Sequence, residues 1–276
     1  MTTQSGDEFY SISDAEAQRA YVGVRRAAQW IGFFLPYLKR GFSVLDCGCG
    51  VGSITLDLAE LVASGQVIGI DLDESQLEIA RANAQQRGLT NVSFEPGNAY
   101  TLRFADNSFD AVLAHTLLYH LNDQMRALRE FHRVLKPGGV AGISDDDLAT
   151  ATFSPDLPFW HRAIELMTQV VRHNGGNPFY SRHLRGFLRE AGFEKTAGFA
   201  VAADHYGTPD ETRRWAAFVS GVYRSHDFVD LVIRQNWSTP AELDDMLTQI
   251  QRWGDNLDAF FAFMYCAAVG WKRQEP

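Results

Sequence analysis

Apolar positions in the first half of the chain follow two rhythms. Short, largely apolar runs at Phe42–Cys47, Gln66–Asp71, Asn91–Gly97, Phe109–His115 and Gly139–Asp145 read as buried strands. Between them lie segments with helical spacing: Ser53–Ala63, the stretch from Asp73 to Gly88, and about Asp123–Leu135. The second of these places Leu77, Ala80 and Ala84 on one face; Asp73 and Gln76 predict a capping box at its start, and Gly88 a stop. Strands alternating with helices of this length predict right-handed βαβ units and a parallel sheet.

The second half is helix-rich. Pro158–His173 carries Trp160, Ile164, Met167 and Val171 at helical spacing and ends at the breaker Gly175-Gly176-Asn177-Pro178. Ser181 opens a further helix with Leu184, Phe187, Leu188 and Ala191 inward, closed by Gly192. A strand is predicted over Lys195–Ala203. Thr208-Pro209-Asp210-Glu211 and Thr239-Pro240-Ala241-Glu242 each combine a hydroxyl cap, a proline at the first helical position and a glutamate at the third. A shorter helix is predicted over Asp227–Arg234, and a last strand over Ala259–Trp271. The expected organisation is one domain over 1–276. It comprises an N-terminal helical segment (1–41), a ligand-binding core (42–145), a helical elaboration (146–192) and the last strands (193–276), with a helical insertion at about 208–254.

Composition narrows the class. Apolar residues make up 46% and charged residues 21%, which excludes wholesale disorder. Acidic residues number 34 against 25 basic, a net charge of −9, so a nucleic-acid partner is not expected. Three cysteines in 276 residues do not form a disulfide framework and fit a reducing, cytoplasmic setting. The longest apolar-looking segment, Ala259–Trp271, falls short of the roughly 20 residues of a membrane-spanning helix.

The candidate chemistry concentrates at the first strand-to-helix turn, Asp46-Cys47-Gly48-Cys49-Gly50-Val51-Gly52. Glycines there permit positive φ and close backbone approach. Where a dinucleotide fingerprint needs its third glycine, this chain has Ser53 or Thr55. Asp46 adds a negative charge that suits a cationic group better than a pyrophosphate. Asp71 ends the second strand, where a carboxylate accepts hydrogen bonds from a ribose diol. Cys47 and Cys49 lack metal-ligating partners in sequence and read as small turn-filling residues.

Four segments in order, VLDCGCGVGS, GIDLDES, PGNAYTLRFADNSFDAVLAH and LREFHRVLKPGG, resemble the class I S-adenosylmethionine-dependent methyltransferases, most closely the ubiquinone/menaquinone-type small-molecule branch. The resemblance spans Phe42–Ser144 and continues more weakly over Ser181–Ala203. It implies an α/β, Rossmann-like, seven-stranded and mostly parallel sheet of order 3-2-1-4-5-7-6, strand seven antiparallel, with a helical lid between strands six and seven. It implies S-adenosyl-L-methionine as cofactor, S-adenosyl-L-homocysteine as product and a small, largely apolar methyl acceptor. Gly48, Gly50 and Gly52 would line the methionine and ribose, with Asp46 near the methionine amino group. Asp71 would bind the ribose hydroxyls and Leu72 would pack on adenine. Asn98-Ala99 replace the family's Asp-Ala pair, so Asn98 would meet the adenine amino group with its amide oxygen. His115 takes the position whose backbone touches the cofactor.

His115, Tyr119 and His120 are the candidates for acid–base work, set against backbone-only and packing roles; methyl transfer also proceeds by orientation alone. No metal is expected. Magnesium-dependent relatives end strand four in Asp where this chain has His115, and Asp145-Asp146-Asp147 is read as solvated or acceptor-facing. Phe153, Phe159, Trp160, Phe179, Tyr180, Tyr206, Trp215 and Phe218 are expected over the carboxyl edge of the sheet, where they would shape an apolar pocket or simply pack helices. Phe9, Tyr10 and Tyr21 would close over the cofactor, or else belong to a surface helix opening at Ser13. Two other readings stay open: a protein of this fold that binds the cofactor without methylating, and a macromolecule methyltransferase. The oligomeric state is left open, with a homodimer among the choices.

Overall fold

A computed structural model of the protein describes residues 23–274. Phe9, Tyr10, Ser13 and Tyr21 lie outside that range. The chain enters through a helical turn, α1 (Ala27–Trp30), and then runs β1 (Ser43–Cys47), α2 (Ser53–Leu61), β2 (Gln66–Asp71), α3 (Glu74–Gln86), β3 (Val92–Pro96), β4 (Phe109–His115), α4 (Gln124–Val134) and β5 (Leu135–Asp146). These strands form the parallel part of the sheet, with Leu45 beside Ile68 on one side and Val112 on the other. The second half adds β6 (Thr152–Ser154), α5 (Pro158–His173), α6 (Leu184–Glu190), β7 (Lys195–Tyr206), α7 (Pro209–Arg224), α8 (His226–Arg234), α9 (Pro240–Gly254) and β8 (Phe260–Trp271).

The sheet order is β3-β2-β1-β4-β5-β8-β6, with β7 on the other side of β8. The last strand inserts antiparallel between β5 and β7, Ser144 pairing with Ala267 and Phe199 with the same residue. This is the expected order with one correction: the described residues form eight strands, not seven. β8 pairs with β5 only from Tyr265 onward, so its first residues project past Asp146, and β6 supplies their lateral partner, Phe153 opposite Phe261. β7 likewise reaches Tyr206 rather than stopping at Ala203, following its long partner.

Local signals act largely as read. The Thr208/Glu211 and Thr239/Glu242 capping boxes both form. The box expected at Asp73 does not. Asp73 accepts the Ser75 amide at 2.9 Å, but its own amide goes to Asp71 Oδ1 at 3.0 Å, displacing Gln76 from that role.

Apolar burial falls on both faces of the sheet and in the cap. Ala114, Phe131, Ile143, Leu184 and Ala268 pack on one face, and Trp30, Phe34, Val44, Leu113 and Val269 on the other. A third cluster joins α5, α7, α8 and α9 around Trp160, Trp215, Val219, Leu247 and Ile250 and reaches the sheet through Phe261. These helices stand at the β8 end that projects past β5, over the carboxyl edge of the parallel strands. The Trp253 indole donates to the Ser154 carbonyl at 2.9 Å and fastens α9 to β6.

Candidate active site

The turn after β1 is a compact device built on glycine. Gly48, Gly50 and Gly52 all have positive φ, 78°, 53° and 76°. Gly52 is also enclosed: a Cβ there would lie 2.9 Å from the Phe94 ring and 3.0 Å from Ala80. Gly50 faces open space, with nothing within 4 Å of such a Cβ. The amides of Gly48 and Cys49 are consumed by the Ile70 carbonyl, at 2.8 and 3.0 Å, and that of Gly50 by Asp71 Oδ2 at 2.9 Å. The loop therefore turns backbone surface rather than a ring of free amides to the ligand side, the opposite of a phosphate cradle.

Two carboxyl groups flank it. Asp46 is buried and accepts a hydrogen bond from Thr55 Oγ1 at 2.6 Å. Burial pushes its pKa up to about 7; the Thr55 bond opposes that rise and the nearby Asp71 charge adds to it. Asp71 is raised as well, chiefly by burial, against the amide hydrogen bonds from Asp73 and Gly50. Each Asp71 oxygen takes one amide and retains further acceptor capacity. The adjoining Leu72 is 59% exposed, an apolar side chain held in the open beside a carboxylate. Gly97 donates its amide to the Asp71 carbonyl at 3.0 Å, which brings Asn98 and buried Ala99 to the same edge. Asn98 Oδ1 accepts the Tyr100 amide at 2.8 Å and keeps a second lone pair. Asp46, Gly48, Gly50, Gly52, Asp71, Leu72, Asn98 and Ala99 thus gather at the carboxyl ends of β1, β2 and β3.

The three acid–base candidates separate into two groups. The His115 ring, at the end of β4, turns into a nest of Arg25, Trp30 and Tyr265. Nε2 lies 3.2 Å from Arg25 Nη1, and the Trp30 and Tyr265 rings stand 5.7 and 5.4 Å away. Burial, and secondarily the Arg25 charge, hold its pKa well below the usual range. Tyr119 and His120 sit in the helical turn that follows, their rings 3.8 Å apart; both are buried, and burial takes His120 down to about 3. Arg25, Trp30, Tyr265 and Thr55 are members of the site that sequence reading missed. Only Thr55, nine residues from Asp46, could have been found from local spacing.

The acidic run at the end of β5 is not a solvated face, which corrects that part of the sequence expectation: Asp145 and Asp147 are buried and Asp146 is half-buried. Asp145 is fully buried, its carboxyl pushed well upward by burial and by Asp146. Asp147 is buried too: it caps the turn at Leu148 and binds Arg182 with both oxygens, at 2.5 and 2.6 Å. Phe179 and Tyr180 lie outside the cap cluster but at the carboxyl end of β5, where the Leu148 amide donates to the Pro178 carbonyl at 3.4 Å and Ser181 Oγ to the Asp146 carbonyl at 3.1 Å. Tyr180 stacks on Phe187 against the sheet, and Phe179 sits between the guanidinium groups of Arg172 and Arg182.

The fold is that of an α/β protein with a glycine turn and two carboxyl groups at the carboxyl edge of its parallel strands. Residues 38–192, more than half of the chain, match the family described as methyltransferase domain, and the chain belongs to that family. It is 30% identical over 251 residues to an uncharacterized methyltransferase of Schizosaccharomyces pombe, spanning 88% of each chain. It is 37% identical over 222 residues to a demethylmenaquinone methyltransferase of Lactococcus lactis, spanning 79% of this chain and 83% of that one. Among solved structures, the fold matches a phosphoethanolamine N-methyltransferase 2 of Haemonchus contortus in complex with S-adenosyl-L-methionine. That match has a TM-score of 0.59 at 18% identity and spans 94% of this chain and 57% of that one. The protein is an S-adenosylmethionine-dependent methyltransferase. Among the described residues no helix is long and apolar enough to cross a membrane.

Proposed function

We propose that the chain methylates an oxygen, carbon or nitrogen atom of a small, largely apolar molecule. The observation that supports this reading is the aromatic wall above the carboxyl edge. Where β8 passes beyond β5, Phe261 and Phe263 meet Trp215, which stacks on Tyr206 at 4.6 Å and touches Phe218 at 5.4 Å. Tyr206, Phe218 and Phe263 are half-buried, so their rings keep surface for a ligand. The relative named for demethylmenaquinone fits an acceptor of that kind.

The cofactor supplies an electrophilic methyl group on a sulfonium. The residues suit it: an open glycine at Gly50, two carboxyl groups for a cationic and hydroxylated ligand, and exposed Leu72 for a base. In this reading Asp46 holds the cationic end and the backbone of Gly48, Gly50 and Gly52 lines it. Asp71 takes the ribose hydroxyls. Leu72 packs on adenine, Asn98 binds its amino group, Ala99 lines the pocket and the His115 backbone closes it. Where the acceptor must lose a proton, His115, Tyr119 and His120 are the chain's candidates. The lowered pKa of both histidines makes them weak bases, so orientation beneath the cap is assigned most of the rate.

The test uses methyl-labelled S-adenosylmethionine with purified protein and a metabolite extract. Label is expected in the organic-soluble, small-molecule fraction. Label confined to protein or nucleic acid would overturn the apolar-acceptor reading.

A further inference from the structure

Arg25 lies outside every motif, yet it is buried at 4% exposure and binds three elements at once. Its Nη1 donates to Thr116 Oγ1 at 3.0 Å and meets His115 Nε2 at 3.2 Å; its Nη2 donates to the Tyr265 hydroxyl at 3.4 Å. Its guanidinium carbon stands 4.2 Å over the Trp30 ring. Because guanidinium has donors only, His115 Nε2 is the acceptor, and the neutral ring carries its proton on Nδ1.

The partner residue Thr116 is backbone-strained. Its φ is 55°, a left-handed conformation that β-branched residues avoid, and its amide is held by the Ser144 carbonyl at 2.8 Å. The next residue, Leu117, lies against the glycine loop: a Cβ on Gly48 would be 3.0 Å from Leu117 Cδ1. The strained turn therefore touches the loop on one side and Arg25 on the other.

We propose that Arg25 is a positioning residue for cofactor binding. By bonding Thr116 and one tautomer of His115, it fixes the turn that presses Leu117 on Gly48. This rests on the reading that the glycine loop holds the cofactor.

The probe is S-adenosylhomocysteine, titrated calorimetrically into wild type, Arg25→Gln, Arg25→Lys and Thr116→Gly. Nitrogen-15 imidazole spectra report the His115 tautomer in the same samples. Thr116→Gly removes the hydroxyl but adopts positive φ freely, so its melting temperature should stay near the wild-type value. Its affinity should nevertheless fall about five- to tenfold, the equivalent of one hydrogen bond. Arg25→Gln should lose affinity further and give a mixed His115 tautomer population; Arg25→Lys should recover part of the affinity. Wild-type affinity in both Thr116→Gly and Arg25→Gln would overturn the proposal. Should Arg25→Gln fail to fold, Thr116→Gly decides alone. Failure of the wild type to bind the probe would instead overturn the glycine-loop reading.

Discussion

Asp46 is a buried acid whose ionisation bears on both stability and ligand binding. In the unfolded chain it ionises near 3.8; in the fold it ionises near 7. Between those values the native state holds a proton that the unfolded state releases. Its contribution to stability is therefore full below about 3.8 and is lost as pH rises toward 7. A cationic ligand needs the ionised form. S-adenosylhomocysteine affinity should therefore rise about tenfold from pH 6 to pH 8, since a group titrating near 7 is about one-tenth ionised at the lower value. Asp46→Asn should flatten that profile; an unchanged slope in the variant would assign the titration elsewhere.

The glycines separate fold from ligand space. Gly50→Ala meets nothing within 4 Å and carries only the cost of positive φ, about 1–2 kcal/mol, yet its methyl enters the ligand side. Gly52→Ala pays that cost and also strikes Phe94 and Ala80. The first should bind the cofactor poorly while losing only the few degrees of melting temperature that the positive-φ cost implies. The second should melt distinctly lower, as differential scanning calorimetry would show.

Among the elements, the cap packs around a hydrophobic cluster of its own. Fully buried Ile250 packs with α5, α7 and α8 side chains. Ile250→Ala should destabilise by about 2–5 kcal/mol. It should impair transfer to the acceptor and leave S-adenosylhomocysteine affinity unchanged. A loss of that affinity would mean that the cap also shapes the cofactor site.

The alternation of strands and helices was legible because buried parallel strands are short apolar runs with glycine or polar ends, as at Gln66–Asp71. Two of the four cap helices, α7 and α9, announced themselves through their Thr-Pro starts. β6 was not legible: three residues carry no period, and it exists because β8 overshoots its neighbour. The glycine turn and Asp71 were readable because their chemistry is local. The His115 nest was not, since Arg25 and Tyr265 lie 90 and 150 residues away in sequence. The burial of Asp145 and Asp147 depends on β8 and the Ser181–Leu184 segment, which no local pattern brings beside them.

At the scale of the molecule, β8 belongs to every principal cluster. Ala268 packs on one face of the sheet, Tyr265 and Val269 on the other, and Phe261 in the cap. We infer that the described residues, 23–274, act as one domain whose cap and sheet unfold together. Tryptophan fluorescence, which reports largely on Trp160, Trp215, Trp237 and Trp253 of the cap, and far-ultraviolet circular dichroism should show one coincident transition. Separated transitions would make the cap a unit of its own.

Methyl transfer to a small apolar molecule from a cofactor seated on the glycine loop is the activity proposed for the protein. Its most direct test runs methyl-labelled S-adenosylmethionine, a metabolite extract and either wild type or Gly50→Ala in parallel, followed by solvent partition. The expected result is label in the organic phase with wild type and little with the variant. Equal labelling by the two proteins, or label held in macromolecules, would contradict it.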